Sequence, residues 1–529
     1  METSNTYYRP EWTCGRYDRE HNVAILYNLI EGMCFYYEDI TAEVISCILS
    51  KKRNESFELD WLSRQSDVNM TSLMPFVYQL VQYGLLTSHI LTEEEIATYR
   101  ANLKGRRIQD VLDNVDALHE MTVIRDASAE RTYMEKTGGI TSVMFELTYR
   151  CSEMCVHCFN AGATRNDTEK NNRVNRREMT MANYKNLIDE LDEMGVTKVC
   201  LSGGDPFSKS IVWDIIDYLY RKELAIDIFT NGISVVNQVD RLAKYYPRTI
   251  GISLYSDVPE VHDYITRVKG SHDRTVKFIE QCSEYSMPIV LKCCIMKPNV
   301  ASYPTVKHVA YKYGALPQFD LNITDSVDGD KCASTFLRLE HEELEIVLRD
   351  KDLPYYVSDD GIKSNAMDSN GLMCNAGHNS LCITPEGNVQ PCCAFPLKLG
   401  NICKSSLLEV LRDNFLLAWW KKQTIKDCKD CFKHPYCTYC QMCVGNNYIA
   451  HGTPLEASDN NCFLAKERYF LALKMQDGYD PLQGRDLNEA LSRFQFKKRE
   501  LSRIHSISYR EEARINGVSS NYPYNSLND

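Results

Sequence analysis

Between residues 141 and 340, short apolar runs rich in β-branched residues alternate with segments of helical spacing. The runs 142–148, 197–201, 225–229, 249–254, 289–295 and 319–323 read as strands. The clearest helix starts after Thr180, a good N-cap. It places Tyr184, Leu187, Ile188, Leu191 and Met194 at helical spacing before Gly195 ends it. Repeated strand and helix units predict an α/β class with a parallel sheet, open or curved into a barrel. Ligands of such sheets gather where the strands end at their carboxyl edge. Four chemically unusual loops fall there: Cys151, Cys155 and Cys158 after the first strand, Ser202 to Pro206 after the second, Thr230, Asn231 and Gly232 after the third, and Ser253 to Ser256 at the fourth.

The first 90 residues carry a different pattern. Runs 23–29 and 33–37 flank Glu31 and Gly32 as a hairpin, 41–49 and 71–83 have helical periodicity, and 85–87 suits a short strand. The predicted units are therefore a small α+β domain over 1–90, a helical linker over 91–138 exposing Lys104, Arg106 and Arg107, and a core over 139–345. A cysteine-rich domain over 346–473 and a solvated, modestly basic tail over 474–529 follow.

A chain of 529 residues suits three or four domains at roughly 150 residues each. No apolar run approaches the roughly 20 residues of a membrane helix, and the first residues lack a secretory stretch, so a cytoplasmic protein without a membrane partner is expected. The net charge of -12 argues against a nucleic-acid partner.

The 22 cysteines fall unevenly: three in the first loop, eleven between Cys374 and Cys462, and eight elsewhere. Those eight, including Cys14, Cys34, Cys47, Cys200, Cys282, Cys293, Cys294 and Cys332, lie mostly in apolar segments as small hydrophobes. Cys151, Cys155 and Cys158 are more informative. A 4Fe-4S cluster offers one site per iron, so three thiolates leave one iron open to bind something else. Zinc is the competing reading, but its sites usually close with a fourth ligand, and His157 is badly placed to supply it.

This C-x3-C-x2-C loop resembles the signature of the radical S-adenosylmethionine (radical SAM) enzymes, with His157 where an aromatic residue usually stands. The resemblance implies a partial barrel of six strand-helix units with SAM chelated at the open iron. One-electron cleavage there yields a 5'-deoxyadenosyl radical that abstracts hydrogen from carbon. Ser202, Gly203, Gly204 and Asp205 resemble the family's GGE-type motif for the SAM amino group, with Asp205 in place of glutamate. Thr230 and Asn231 are candidates for lining the SAM pocket, Ser253 resembles a ribose-contacting serine, and Arg267 stands where some relatives hold the SAM carboxylate. Glu146 shares a strand face with Met144 and Thr148 and is expected to point toward the cofactor, unless it or Arg267 belongs to a structural ion pair.

The second cysteine group runs from Cys374 through Gly387-x4-Cys392 to Cys428-x2-Cys431-x5-Cys437-x2-Cys440, then Cys443 and Cys462. It resembles the SPASM domain, an extension of radical SAM enzymes that holds two auxiliary 4Fe-4S clusters. The resemblance implies one cluster on Cys428, Cys431, Cys437 and Cys462. It puts the other on Cys374, Cys392 and either Cys440 or Cys443, with Cys382 or Cys393 as a fourth ligand or a vacancy for a substrate thiolate. Structural zinc remains the alternative, since CxxC pairs suit it equally.

The N-terminal pattern resembles the winged-helix recognition domain of peptide-maturation enzymes, related to the pyrroloquinoline-quinone peptide chaperone. The resemblance implies a leader peptide adding a strand to the hairpin edge and a tethered core peptide receiving a thioether or carbon-carbon crosslink. The expected partners are a precursor peptide with its leader and an electron donor such as flavodoxin or ferredoxin. An anaerobic sulfatase-maturating type of enzyme and a noncatalytic iron-sulfur or zinc scaffold are the alternatives.

Overall fold

The computed structural model describes residues 5–115, 121, 127–160, 178–325, 332–359, 370–429 and 431–494. Strands of the N-terminal unit are β1 (Thr6–Tyr8), β2 (Thr13–Asp18), β3 (Val23–Asn28), β4 (Met33–Glu38) and β5 (Ser56–Glu58). β2, β3 and β4 form an antiparallel sheet with β3 central, and β1 pairs with β5. Helices Asp39–Leu49, Leu59–Ser66 and Met70–Gln82 pack over one face, with Ile45, Ile48, Leu62, Val77 and Leu80 buried. The expected hairpin is present. Residues 85–87 are not a strand, because only Thr87 pairs, through its backbone with Tyr8.

The core contributes six parallel strands in sequence order: β6 (Ser142–Glu146), β7 (Lys198–Ser202), β8 (Ala225–Thr230), β9 (Thr249–Ser253), β10 (Ile289–Cys294) and β11 (Leu316–Asp320). Alternation explains the arrangement. Val143, Phe145, Val199, Leu201, Ile250, Ile252, Leu291 and Cys293 are buried beneath the helices. Met144, Cys200, Gly251 and Lys292 fall on the opposite face. The helix Met181–Glu193 is capped by Thr180 through a reciprocal box with Asn183. The last strand begins and ends three residues earlier than the apolar run 319–323 suggests. It includes Pro317, tolerated because β11 is the edge of the sheet and that position needs no ladder donor.

The cysteine-rich region is not a detached unit. β12 (Ser380–Ile383) joins β6 in parallel, with Cys382 opposite Met144, and β13 (Asn388–Gln390) and β14 (Gly400–Asn401) continue the same nine-stranded sheet. The hairpin expected around Glu386 and Gly387 connects β12 to β13.

The segment predicted as a linker braces the N-terminal unit against the core. Its helices are Glu93–Asp113 and Ala127–Thr137. Arg106 is exposed, but Lys104 and Arg107 are half-buried. Arg107 donates to the carbonyls of Ser286 at 2.6 Å and Ile30 at 2.9 Å, so its charge fastens two units together. Glu130 reaches the core sheet and pairs with Lys198 at 2.6 Å and Arg248 at 2.7 Å; Arg248 also pairs with Asp227 at 2.6 Å. Arg16 and Arg53 add bonds to the carbonyls of Val196, Lys222 and Tyr220. Lys198 and Thr249 open their strands, so the N-terminal unit sits at the amino edge of the sheet.

Past Lys474, the helix Asp459–Gln476 ends and Leu487–Leu491 packs back on the core, burying Ala490 and Leu491. The predicted tail thus begins later than 474; residues 495–529 lie outside the described residues. No helix of the described residues is long and apolar enough to cross a membrane.

Candidate functional site

The loop after β6 is held by its neighbours on both sides. Gly204 N donates to Thr148 O at 2.7 Å and Asp205 N to Arg150 O at 2.9 Å, which joins the second loop to the first. A Cβ on Gly204 would stand 2.5 Å from Arg150 O, and one on Gly203, whose φ is +124°, would collide with Thr148 O. Only glycine allows this approach of two backbones. From the other side, Met154 N donates to Thr266 O at 3.0 Å and Val156 N to Ile265 O at 2.9 Å. These bonds bring the end of the helix Pro259–Thr266, and Arg267 beyond it, to the cysteine loop.

The third loop touches the cysteines directly. Asn231 Nδ2 points at Cys151 Sγ at 3.4 Å and donates to Ser152 Oγ at 3.0 Å. Glu153 N also points at Cys151 Sγ at 3.4 Å. Asp205 is fully buried, and its carboxylate accepts from Thr230 Oγ1 at 2.6 Å, so this pair ties the second loop to the third instead of facing open space. Ser253 lies at the end of β9 and interacts with the Tyr255 hydroxyl. The structure therefore gathers the loops of Ser202, Gly203, Gly204, Asp205, Thr230, Asn231, Ser253 and Arg267 around one rim.

Burial raises the thiols of Cys151, Cys155 and Cys158, with neighbouring carboxylates and thiols adding to the effect. Glu153 is pushed up to about 8 by burial, and Cys155 Sγ approaches its Oε2 at 3.4 Å. His157 packs edge-on against Tyr255, with ring centres 4.8 Å apart, and burial lowers it to about 4. It thus fills the aromatic position as a neutral ring. Tyr255 is a site residue that sequence spacing missed, since nothing marks one aromatic after a strand.

Glu146 is buried and pushed up to about 7 by that burial, with Tyr149 Oη donating to it at 3.3 Å. Cys382, Cys392 and Cys158 all lie within electrostatic reach of it. Glu146 thus neighbours both the first cysteine loop and the second cysteine group.

That group separates into two clusters of sulfur. Cys374, Cys392 and Cys443 lie within electrostatic reach of one another. Cys392 is lowered to about 6, first by the hydrogen bond from Cys393, whose Sγ is 4.0 Å away, and then by nearby backbone N–H groups. Cys440 instead approaches Cys437 and Cys462, and Cys431, Cys437, Cys440 and Cys462 line one apolar void. Cys428 and Cys431 are joined as a disulfide. Among the described residues, no three His, Cys, Asp or Glu groups converge on a point for a single ion.

The donor sets suit the groups expected. At the rim, three thiols share a loop whose first sulfur has two N–H groups beside it, under a wall that lacks side chains at Gly203 and Gly204. The two sulfur groups farther along the chain are rich in thiols.

Residues 145–300 match the family model of the radical SAM superfamily, and residues 374–444 match that of the SPASM iron-sulfur cluster-binding domain. The chain is 25% identical over 410 residues to the antilisterial bacteriocin subtilosin biosynthesis protein AlbA of Bacillus subtilis, covering 73% of this chain and 88% of that protein. It is 26% identical over 337 residues to the mycofactocin maturase MftC of Mycolicibacterium smegmatis, covering 60% and 81%. Among solved structures, SuiB of Streptococcus suis bound to precursor peptide SuiA aligns with a TM-score of 0.49 at 13% identity, over 86% of this chain and 99% of that one.

Proposed function

Since the chain belongs to the radical SAM superfamily and carries an SPASM iron-sulfur domain, we propose that it is a cytoplasmic maturase of a ribosomally made peptide, forming a thioether or carbon-carbon crosslink by oxidation. The observation that carries this reading is the convergence of the cysteine loop, the Gly203-Gly204 wall and Asn231 on one rim. The relatives whose names identify them as a bacteriocin biosynthesis protein and a maturase support the choice of a peptide.

Cys151, Cys155 and Cys158 would hold the SAM-binding cluster. Cys428, Cys431, Cys437 and Cys462 would hold one auxiliary cluster, with the Cys428 and Cys431 pair reduced. Cys374, Cys392 and Cys443 would hold the other, with Cys382 or Cys393 as its fourth ligand. When bound, these groups supply one-electron cleavage of SAM, a hydrogen-abstracting 5'-deoxyadenosyl radical and a sink for the electron left over. The chain's part is to orient and shield. Asn231 and the Glu153 amide direct N–H groups at the Cys151 sulfur. Thr230 and Asp205 fix the rim, while Gly203 and Gly204 open backbone to the cofactor. Glu146 lies within electrostatic reach of both the rim thiol Cys158 and the thiols Cys382 and Cys392.

In the N-terminal unit, β4 is an edge strand and so offers a backbone ladder to a leader peptide. Beside it, Phe35 stacks on Tyr83 at 4.8 Å and Tyr37 meets Phe76 at 5.6 Å, an aromatic wall for apolar leader side chains. A flavodoxin or ferredoxin would supply the reducing electron.

The test replaces Cys151, Cys155 and Cys158 with Ala in anaerobically prepared protein. 5'-Deoxyadenosine production should vanish; production at the wild-type rate would overturn the assignment. Mass spectrometry of co-expressed short peptides should then show loss of paired hydrogens, whereas a net methyl gain would contradict crosslinking.

A further inference from the structure

Arg468 lies in the helix Asp459–Gln476 and is only 6% exposed. Its Nε donates to Tyr355 O at 3.1 Å and its Nη1 to Tyr439 O at 2.6 Å. Among the described residues, no carboxylate forms an ion pair with it. The Tyr355 ring lies 5.8 Å from the guanidinium, and the ionisable sulfur within its electrostatic reach is Cys440.

An arginine withdrawn from water and given only carbonyls retains a positive charge that its surroundings must balance. The same helix carries Cys462, which faces the void shared by Cys431, Cys437 and Cys440. The turn that Arg468 grips, Pro435–Tyr439, contains Cys437 and leads directly into Cys440. The cation therefore stands behind the turn that carries Cys437 and leads into Cys440. A four-iron cluster held by four thiolates is a net anion and gains negative charge on reduction, so nearby positive charge favours its reduced form.

We propose that Arg468 is the buried counter-charge of the iron-sulfur site on Cys428, Cys431, Cys437 and Cys462, and that it raises the reduction potential of that site. This rests on the iron-sulfur assignment above. Arg468 is a positioning and charge-balancing residue, outside the ligand set. Cys440 lies within electrostatic reach of the guanidinium and of the Cys437 and Cys462 sulfurs.

The experiment uses the full chain, reconstituted anaerobically, with iron and sulfide measured first and the clusters then titrated potentiometrically by electron paramagnetic resonance. Arg468→Gln should keep its iron while one auxiliary midpoint moves to a more negative potential; Arg468→Lys should stay near wild type, and the other midpoints should not move. Full iron with both auxiliary midpoints unmoved in Arg468→Gln would overturn the proposal, as would equal shifts in the Gln and Lys variants. Loss of one cluster's iron in Arg468→Gln but not in Arg468→Lys would support it. The same loss in both would overturn it, because a mere pin on the Tyr439 carbonyl behaves that way. Wild-type protein that holds neither iron nor sulfide would sink the iron-sulfur assignment itself.

Discussion

Replacing Gly203 with Ala tests the rim most directly. The residue has φ +124°, a conformation an L side chain rarely adopts, and its new Cβ would press on the Thr148 carbonyl and stand 3.3 Å from Leu147 N. The backbone strain costs about 1–2 kcal/mol. Displacing the Thr148 carbonyl also breaks its 2.7 Å bond from Gly204 N, worth about 1 kcal/mol. The sum, about 2–3 kcal/mol, corresponds to roughly 30- to 150-fold in an equilibrium constant. We expect SAM affinity, measured by calorimetry on iron-loaded protein without oxygen, to fall within that range. Gly195→Ala is the control: φ there is +75° with no atom within 4 Å, so it should lose about 1 kcal/mol of folding stability and bind SAM normally. A Gly203→Ala protein that binds SAM within about threefold of wild type, and folds as well as Gly195→Ala, would refute the close-approach argument.

Three further outcomes follow from the same geometry. Arg248→Met strips Asp227 of its paired cation and leaves Glu130 to Lys198 alone in a buried network, and denaturant unfolding should register a loss of about 3–5 kcal/mol; a loss below about 1 kcal/mol would mean the network is solvated. His262 is lowered to about 3 by burial, whereas an unfolded histidine titrates near about 6.5. Only the unfolded chain takes up that proton as the pH falls below the unfolded value. Stability should therefore drop by up to about 1.4 kcal/mol per pH unit on acidification and stay flat above it, with His262→Gln removing one proton from the slope. Finally, Cys443→Ser should lower iron and sulfide content while Cys440→Ser keeps both, and the reverse pattern would reassign the two sulfurs.

The sequence made the strands β6 to β10 legible because period-two burial under helices leaves a run of β-branched residues that few other structures use. β11 was harder to place: its edge position tolerates Pro317 and Gln318, so the apolar run 319–323 pointed past its end. β2 is hard to read because half of it is TCG followed by charge, and Gly15 leaves room for Ile25 and Leu26 of the paired strand β3. The rim loops were readable as turns with glycine and cysteine. The link from Asn231 to Cys151 was not, since it joins residues eighty positions apart. Both Cys440 and Cys443 fit the spacing, and their neighbours differ in three dimensions: among the described residues Cys443 lies within electrostatic reach of Cys374 and Cys392, and Cys440 of Cys437 and Cys462. The linker misled because exposed and buried arginines look alike in one dimension.

Glu130 pairs with Lys198 and Arg248 at the amino edge of the sheet, the unit bearing β4 lies on that side, and the Cys151 loop lies at the opposite, carboxyl edge. In the proposed reading, a peptide held at β4 and modified at the cysteine rim has to span at least the height of a five-residue strand, about 17 Å at 3.3–3.4 Å per residue. That is roughly five residues of fully stretched chain, and more along any outside route. Shortening the tract between anchor and target should silence the nearest modifiable positions first and spare the distant ones, so the protein's height becomes a ruler laid along its substrate.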